Sequence, residues 1–178
     1  MLDTYKFIEK YKRISIIGME KNVGKTTLLN KLIADIGTNK KLGLTSIGRD
    51  GEDIDVVTNT DKPRIYVRRG SIIATGRNCL AKCDITKEIL YVTDFTTPMG
   101  SIVIVRALSD GYVDIAGPSY NKQVKIVVEL MEKFGSEISI VDGALGRKST
   151  AISDVSEATI LSTGEIGRAH VWTPVTPE

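Results

Sequence analysis

The chain is poor in the residues that crosslink, stack or span. Only two cysteines, Cys79 and Cys83, occur in 178 residues, too few for a disulfide framework. They lie in "CLAKC", one residue too far apart for a zinc knuckle or redox pair, and no second pair or nearby histidine completes four ligands. Aromatic residues make up 6% of the chain and form no stacking row, and the 24 basic and 22 acidic residues are interleaved without a basic tract. That pattern argues against nucleic acid or an anionic membrane as a partner. No long apolar run is present either. The amino terminus, "MLDTYKFIEKYKR", mixes acids, bases and aromatics, so it reads as neither signal peptide nor membrane span, and a cytoplasmic location is expected. What the chain does have is 42% hydrophobic and 26% charged residues, the composition of one globular domain with a sizeable core.

The apolar residues alternate between two periods. "RISIIG" (Arg13 to Gly18) reads as a buried strand, and "GKTTLLNKLIADIG" (Gly24 to Gly37) as a helix with Leu28, Leu29, Leu32, Ile33 and Ile36 on one face. A second strand is expected over roughly Leu42 to Ile47. "RIYV" and "SIIAT" suggest a hairpin about "RRG", and "DITKEILYVT" a short helix begun at Asp84. "GSIVIVRAL" and "GYVDIAGP" read as strands divided by the turn "SDG". Ser119 to Gly135 then forms an amphipathic helix, "EISIVDGA" a buried strand and "ATILSTG" the start of another. Together these predict an α/β fold, a mainly parallel sheet with helices on both faces.

The stretch "GEIGRAHVWTPVTPE" breaks this style and holds the sole His and the sole Trp. It resembles a translated sequencing adapter, so residues 164–178 are set apart from the domain (1–163) as a non-native or disordered tail. On that reading the natural sheet runs on past about residue 163, and His170 and Trp172 are given no role.

The chemistry concentrates in "IGMEKNVGKTT" (Ile17 to Thr27). Nucleotide phosphates need backbone amides, a helix amino terminus and a cation, with no side chain blocking the approach. Gly18, Asn22, Val23, Gly24, Lys25, Thr26 and Thr27 form the expected nucleotide-binding set. Lys25 reaches the β and γ phosphates and Thr26 offers a hydroxyl to Mg²⁺. The competing reading, that "GKT" merely caps a helix, leaves the strand, loop, helix order unexplained. Met19 stands where the usual phosphate loop opens with glycine, and Gly18 lengthens the loop by one residue. Asp142, at the end of an apolar strand, is the expected second Mg²⁺ ligand, although many strands end in Asp before a turn. Asp50, in the acidic loop "GRDGED", is the expected partner of Lys25 in catalysis, with a merely solvated loop as the competing reading. "GALGRKS" carries Arg147 and Lys148 and suits a mobile loop that senses the γ phosphate or contacts a partner.

The lengthened spelling resembles the dethiobiotin synthetase branch of P-loop NTPases. Beyond it, "KNVGKTT", "GLTSIGRDGED", "KPRIYV", "IVRALSDGYVDIAGPS" and "VDGALGRKS" resemble the P-loop subunit of the lysine 5,6-aminomutase reactivase, over approximately Ser15 to Gly164. The resemblance implies an ATP- and Mg²⁺-dependent ATPase that works with a second reactivase ATPase subunit. Together they would release damaged cofactor from an adenosylcobalamin-dependent aminomutase. Two other enzymes share the loop: a dethiobiotin-synthetase-like ligase or kinase acting on a small acid, and a GTP-dependent metallochaperone. A binding module with a vestigial loop is the non-enzymatic alternative.

Overall fold

A computed structural model of the protein describes residues 6, 8–18, 23–48, 64–144, 154–163 and 169–172, with Ala144 and the last four by backbone alone. Ten strands and three helices occur among them: β1 (Arg13–Gly18), α1 (Lys25–Ile36), β2 (Leu42–Ser46), β3 (Ile65–Val67), β4 (Ile72–Gly76), α2 (Arg77–Leu80), β5 (Lys87–Thr97), β6 (Gly100–Ala107), β7 (Gly111–Val113), α3 (Asn121–Lys133), β8 (Ile138–Ala144), β9 (Ala158–Ser162) and β10 (Ala169–Trp172). Eight strands form one sheet in the order β10-β9-β1-β8-β2-β4-β6-β5, and β3 pairs with β7 in a second.

The α/β expectation holds, but the sheet is mixed. Strands β9, β1, β8, β2 and β4 run parallel, while β6 on one side and β10 on the other run opposite to them, and β5 pairs antiparallel with β6. Helices do cover both faces. On one face Leu29, Leu32, Ile33 and Ile36 of α1 pack against Ile14, Ile16, Leu44, Ile73, Val103 and Ile140. On the other, Val124, Val127, Val128 and Met131 of α3 pack against Ile72, Ile102, Ile104 and Val141. Ile72 and Ile73 fall on opposite faces, as do Ile102 and Val103, because successive side chains in a strand alternate. Fully burying each such Ile or Leu contributes about 1.5–3 kcal/mol.

Three local expectations are overturned. Residues 84–93 are not a helix: from Lys87 they belong to β5, an edge strand on β6. "ILYVTDFTT" is rich in β-branched and aromatic residues, and a register shift between Ile89 and Tyr91 disguises its alternation. The turn at "RRG" exists, with Ser71 N–H donating to Arg68 O (3.1 Å) and Gly70 at φ 93°, yet no hairpin forms. There β3 leaves for β7 and β4 enters the main sheet between β2 and β6. The third concerns "GYVDIAGP", of which only Gly111–Val113 is strand. The hairpin partner of β6 is β5, and the strand after "SDG" joins β3 instead.

Within the tail set apart on sequence grounds, Ala169–Trp172 lies antiparallel to β9. Backbone pairing of this kind needs only an extended segment, since the ladder bonds are made by the main chain.

Candidate functional site

The central strands β1 and β8 lie side by side, with Ile16 opposite Asp142 and Gly18 opposite Ala144. The chain leaves β1 for α1, on one face of the sheet, and Val155, beyond β8, packs on the other face with α3. The start of α1 thus lies beside the carboxyl ends of β1 and β8, and open α/β sheets bind ligands in the crevice at strand carboxyl ends.

Lys25, the first residue of α1, reaches into that crevice. Its ammonium donates to Gly143 O at 3.0 Å and lies 3.6 Å from Asp142 Oδ1. The second distance is an ion pair but not a hydrogen bond. Asp142 Oδ1 is buried with no hydrogen-bond partner among the described residues. Burial therefore pushes the Asp142 carboxyl above the ordinary aspartate range, against the downward pull of the Lys25 ammonium.

Two glycines shape the approach. Gly24 holds φ 76° and ψ 17°, a left-handed conformation that turns the chain into α1. Gly18 is needed for room: a Cβ there would lie 2.7 Å from Lys25 Cδ, 2.8 Å from Lys25 Cγ and 2.7 Å from Val23 Cγ2. The lysine stem thus rests on the bare backbone at the end of β1. The helix start carries neither a side-chain cap nor an acid in its first turn. Its amides and dipole are left for an anion from outside the helix.

Thr26 is half-buried in the same first turn, and Thr27 beside it is exposed. The structure therefore gathers Gly18, Val23, Gly24, Lys25, Thr26 and Asp142 at one end of the sheet. Asn22 and Asp50 lie outside the described residues, as do Arg147 and Lys148.

No protein-family model, curated protein or solved structure matches this chain.

Its site must be read from its own contacts, and these include residues that sequence reasoning passed over. After β7, residues 114–118 cross the carboxyl ends of β4 and β2 as a strap. Thr75 Oγ1 donates to Asp114 O (3.1 Å) and accepts from Ala116 N–H (2.9 Å), and Gly76 N–H donates to Ala116 O (2.8 Å). Ser46 Oγ accepts from Gly117 N–H at 2.9 Å. The strap lies so close to β2 that a Cβ on Gly117 would collide with the Ser46 carbonyl. Ile47 N–H in turn donates to Asp142 O (2.8 Å), which joins the strap to the strand that carries the carboxylate. The available signal was a Ser or Thr near the end of each apolar strand, facing a Gly-Pro segment.

Ser162, the last residue of β9, donates its hydroxyl to Val23 O. Neither cysteine is in a disulfide: Cys79 is buried, and Cys83 is half-buried with its thiol donating to Cys79 O at 3.3 Å. No cluster of three acidic, histidine or cysteine side chains suited to a metal occurs among the described residues. No helix among them is long and apolar enough to cross a membrane.

Proposed function

We propose that the crevice between β1 and β8 binds a nucleoside triphosphate with Mg²⁺ and that the protein is an ATPase whose occupancy controls a partner. The observation that carries this is one juxtaposition. A lysine at an uncapped helix start, seated on a bare glycine, faces a carboxylate whose buried oxygen has no hydrogen-bond donor among the described residues. A phosphate chain gives the lysine and the helix amides an anion, and a divalent cation gives Asp142 Oδ1 a partner. Mg²⁺ that arrives with a nucleotide needs only one or two protein oxygens, and the Asp142 carboxylate with the Thr26 hydroxyl is such a set. When bound, the ion neutralises charge on the phosphates.

Lys25 holds its ammonium on Gly143 O and beside Asp142, both on β8. Drawing it to a phosphate loosens the start of α1 from the end of β8, and residues 145–150 follow directly. A binding event is thereby passed to chain that a partner could read. The sequence resemblance supplies the finer reading: a reactivase subunit, with a second ATPase, acting on an adenosylcobalamin-dependent aminomutase. The strap at residues 114–118 braces β2, whose next residue, Ile47, is bonded to Asp142 O.

The test is titration of the purified chain with a fluorescent ATP analogue, with and without Mg²⁺, for wild type and Lys25→Ala. Mg²⁺-dependent binding that falls at least tenfold in the variant, with an unchanged circular dichroism spectrum, is the expected result. Equal binding by both proteins refutes the site. Hydrolysis stimulated by a small carboxylic acid, and not by the aminomutase complex, replaces the reactivase reading with a ligase or kinase.

A further inference from the structure

Ser162 stands outside every motif in the sequence, yet its hydroxyl is the side-chain contact from β9 to the loop before α1. The residue is buried, with 7% of its surface exposed. Its Oγ donates to the carbonyl of Val23, the residue immediately before Gly24. A trans peptide is planar, and its C=O and N–H point in opposite directions. Fixing the Val23 carbonyl toward β9 therefore fixes the Gly24 N–H away from β9. Gly24 has no Cβ to restrict rotation of its flanking peptides, so without the serine bond this plane is free to turn. β9 is itself held in register on β1, with Gly18 opposite Ser162, so the hydroxyl sits level with the strand end on which the Lys25 stem rests.

We infer that Ser162 is a positioning residue for the phosphates: it sets the orientation of the Val23–Gly24 peptide so that the Gly24 amide is presented as a donor before ligand arrives. The inference rests on the nucleotide-binding reading above. A hydrogen bond to a charged group is worth about tenfold or more in affinity, and losing only the presetting of its donor costs part of that, about fivefold. Because the bond runs from β9, order in that strand and affinity at the crevice rise and fall together.

Three full-length proteins, wild type, Ser162→Ala and Ser162→Thr, are compared by Mg·ATP titration, thermal melting and the amide resonance of Gly24 in the nucleotide-free state. The expected result is about fivefold weaker Mg·ATP binding in Ser162→Ala and a displaced Gly24 amide resonance. Both are expected to return toward wild type in Ser162→Thr, which keeps the hydroxyl. Wild-type affinity in Ser162→Ala overturns the inference. So does a loss shared equally by Ser162→Thr with a lowered melting temperature, because packing and not the hydroxyl would then be responsible. A wild-type protein that binds no Mg·ATP overturns the nucleotide reading itself, and the Gly24 resonance then reports separately whether the serine orients the peptide.

Discussion

Replacing Gly18 by alanine tests the seat of Lys25 with a single carbon. The new Cβ would meet Lys25 Cδ and Val23 Cγ2 at 2.7 Å and Lys25 Cγ at 2.8 Å. Ordinary carbon contacts lie at about 3.5–4.0 Å, so the lysine stem must move by about 0.8 Å. The hydrogen bond from Lys25 Nζ to Gly143 O is 3.0 Å long, and a shift of that size away from the carbonyl takes it beyond bonding range. A charge-assisted bond of this kind contributes about 1.5–3 kcal/mol, discounted to about 1–2 kcal/mol because the lysine side chain is partly exposed. For a chain of this length each kcal/mol corresponds to about 2–4 °C, so Gly18→Ala is expected to melt about 2–8 °C below wild type. Nucleotide affinity should fall with it. Differential scanning calorimetry and Mg·ATP titration of the variant decide the matter. A Gly18→Ala protein that melts and binds Mg·ATP as wild type does would show that the lysine is not seated on that glycine.

Two further predictions concern buried polar groups. Because burial raises the folded-state pKa of Asp142, the native protein takes up a proton at a higher pH than the unfolded chain. This term therefore adds stability as pH falls through the folded pKa and withholds it at neutral pH. Wild type should accordingly gain stability relative to Asp142→Asn when urea unfolding is repeated from neutral pH down into the acid range; a constant difference refutes the assignment. The lowered pKa of exposed Glu137 acts in the opposite sense but equally in both proteins, so it cancels from the comparison. Ser15, 1% exposed at the centre of the sheet, has a hydroxyl with no hydrogen-bond partner among the described residues. Ser15→Ala removes an unsatisfied group and is expected to be neutral or to stabilise by up to about 1 kcal/mol in urea unfolding, whereas a clear loss would reveal a partner for the hydroxyl.

The parts of the fold legible in the sequence are those where one period dominates. β1, α1, α3 and β8 were readable because isoleucines and valines run together in buried strands and recur at helical spacing in the helices. β5 was not, because an edge strand with exposed Ile89, Tyr91 and Val92 and two register shifts carries no clean alternation. The pairing of β3 with β7 was equally hidden. Their turns look local, while their partners lie more than 40 residues apart. At the crevice, glycines, lysine and aspartate were legible because spacing along the chain sets their order around a strand end. Ser46, Thr75 and Ser162 were not, because a short hydroxyl that bonds a distant carbonyl or amide leaves no periodic trace.

The order of synthesis adds a consequence to the position of β1. It is made well before its neighbours β8 and β9, which begin at Ile138 and Ala158. At about 5–20 residues per second, a ribosome needs roughly 6–25 s to supply the first of them after β1 has been made. For that interval an isoleucine-rich strand has two bare edges, the condition that invites wrong pairing. The lysine and the aspartate that meet in the crevice are the two ends of this delay, so the candidate site cannot exist until β8 has been made, and conditions that slow elongation should lower the yield of folded chains more than they lower the yield of protein made.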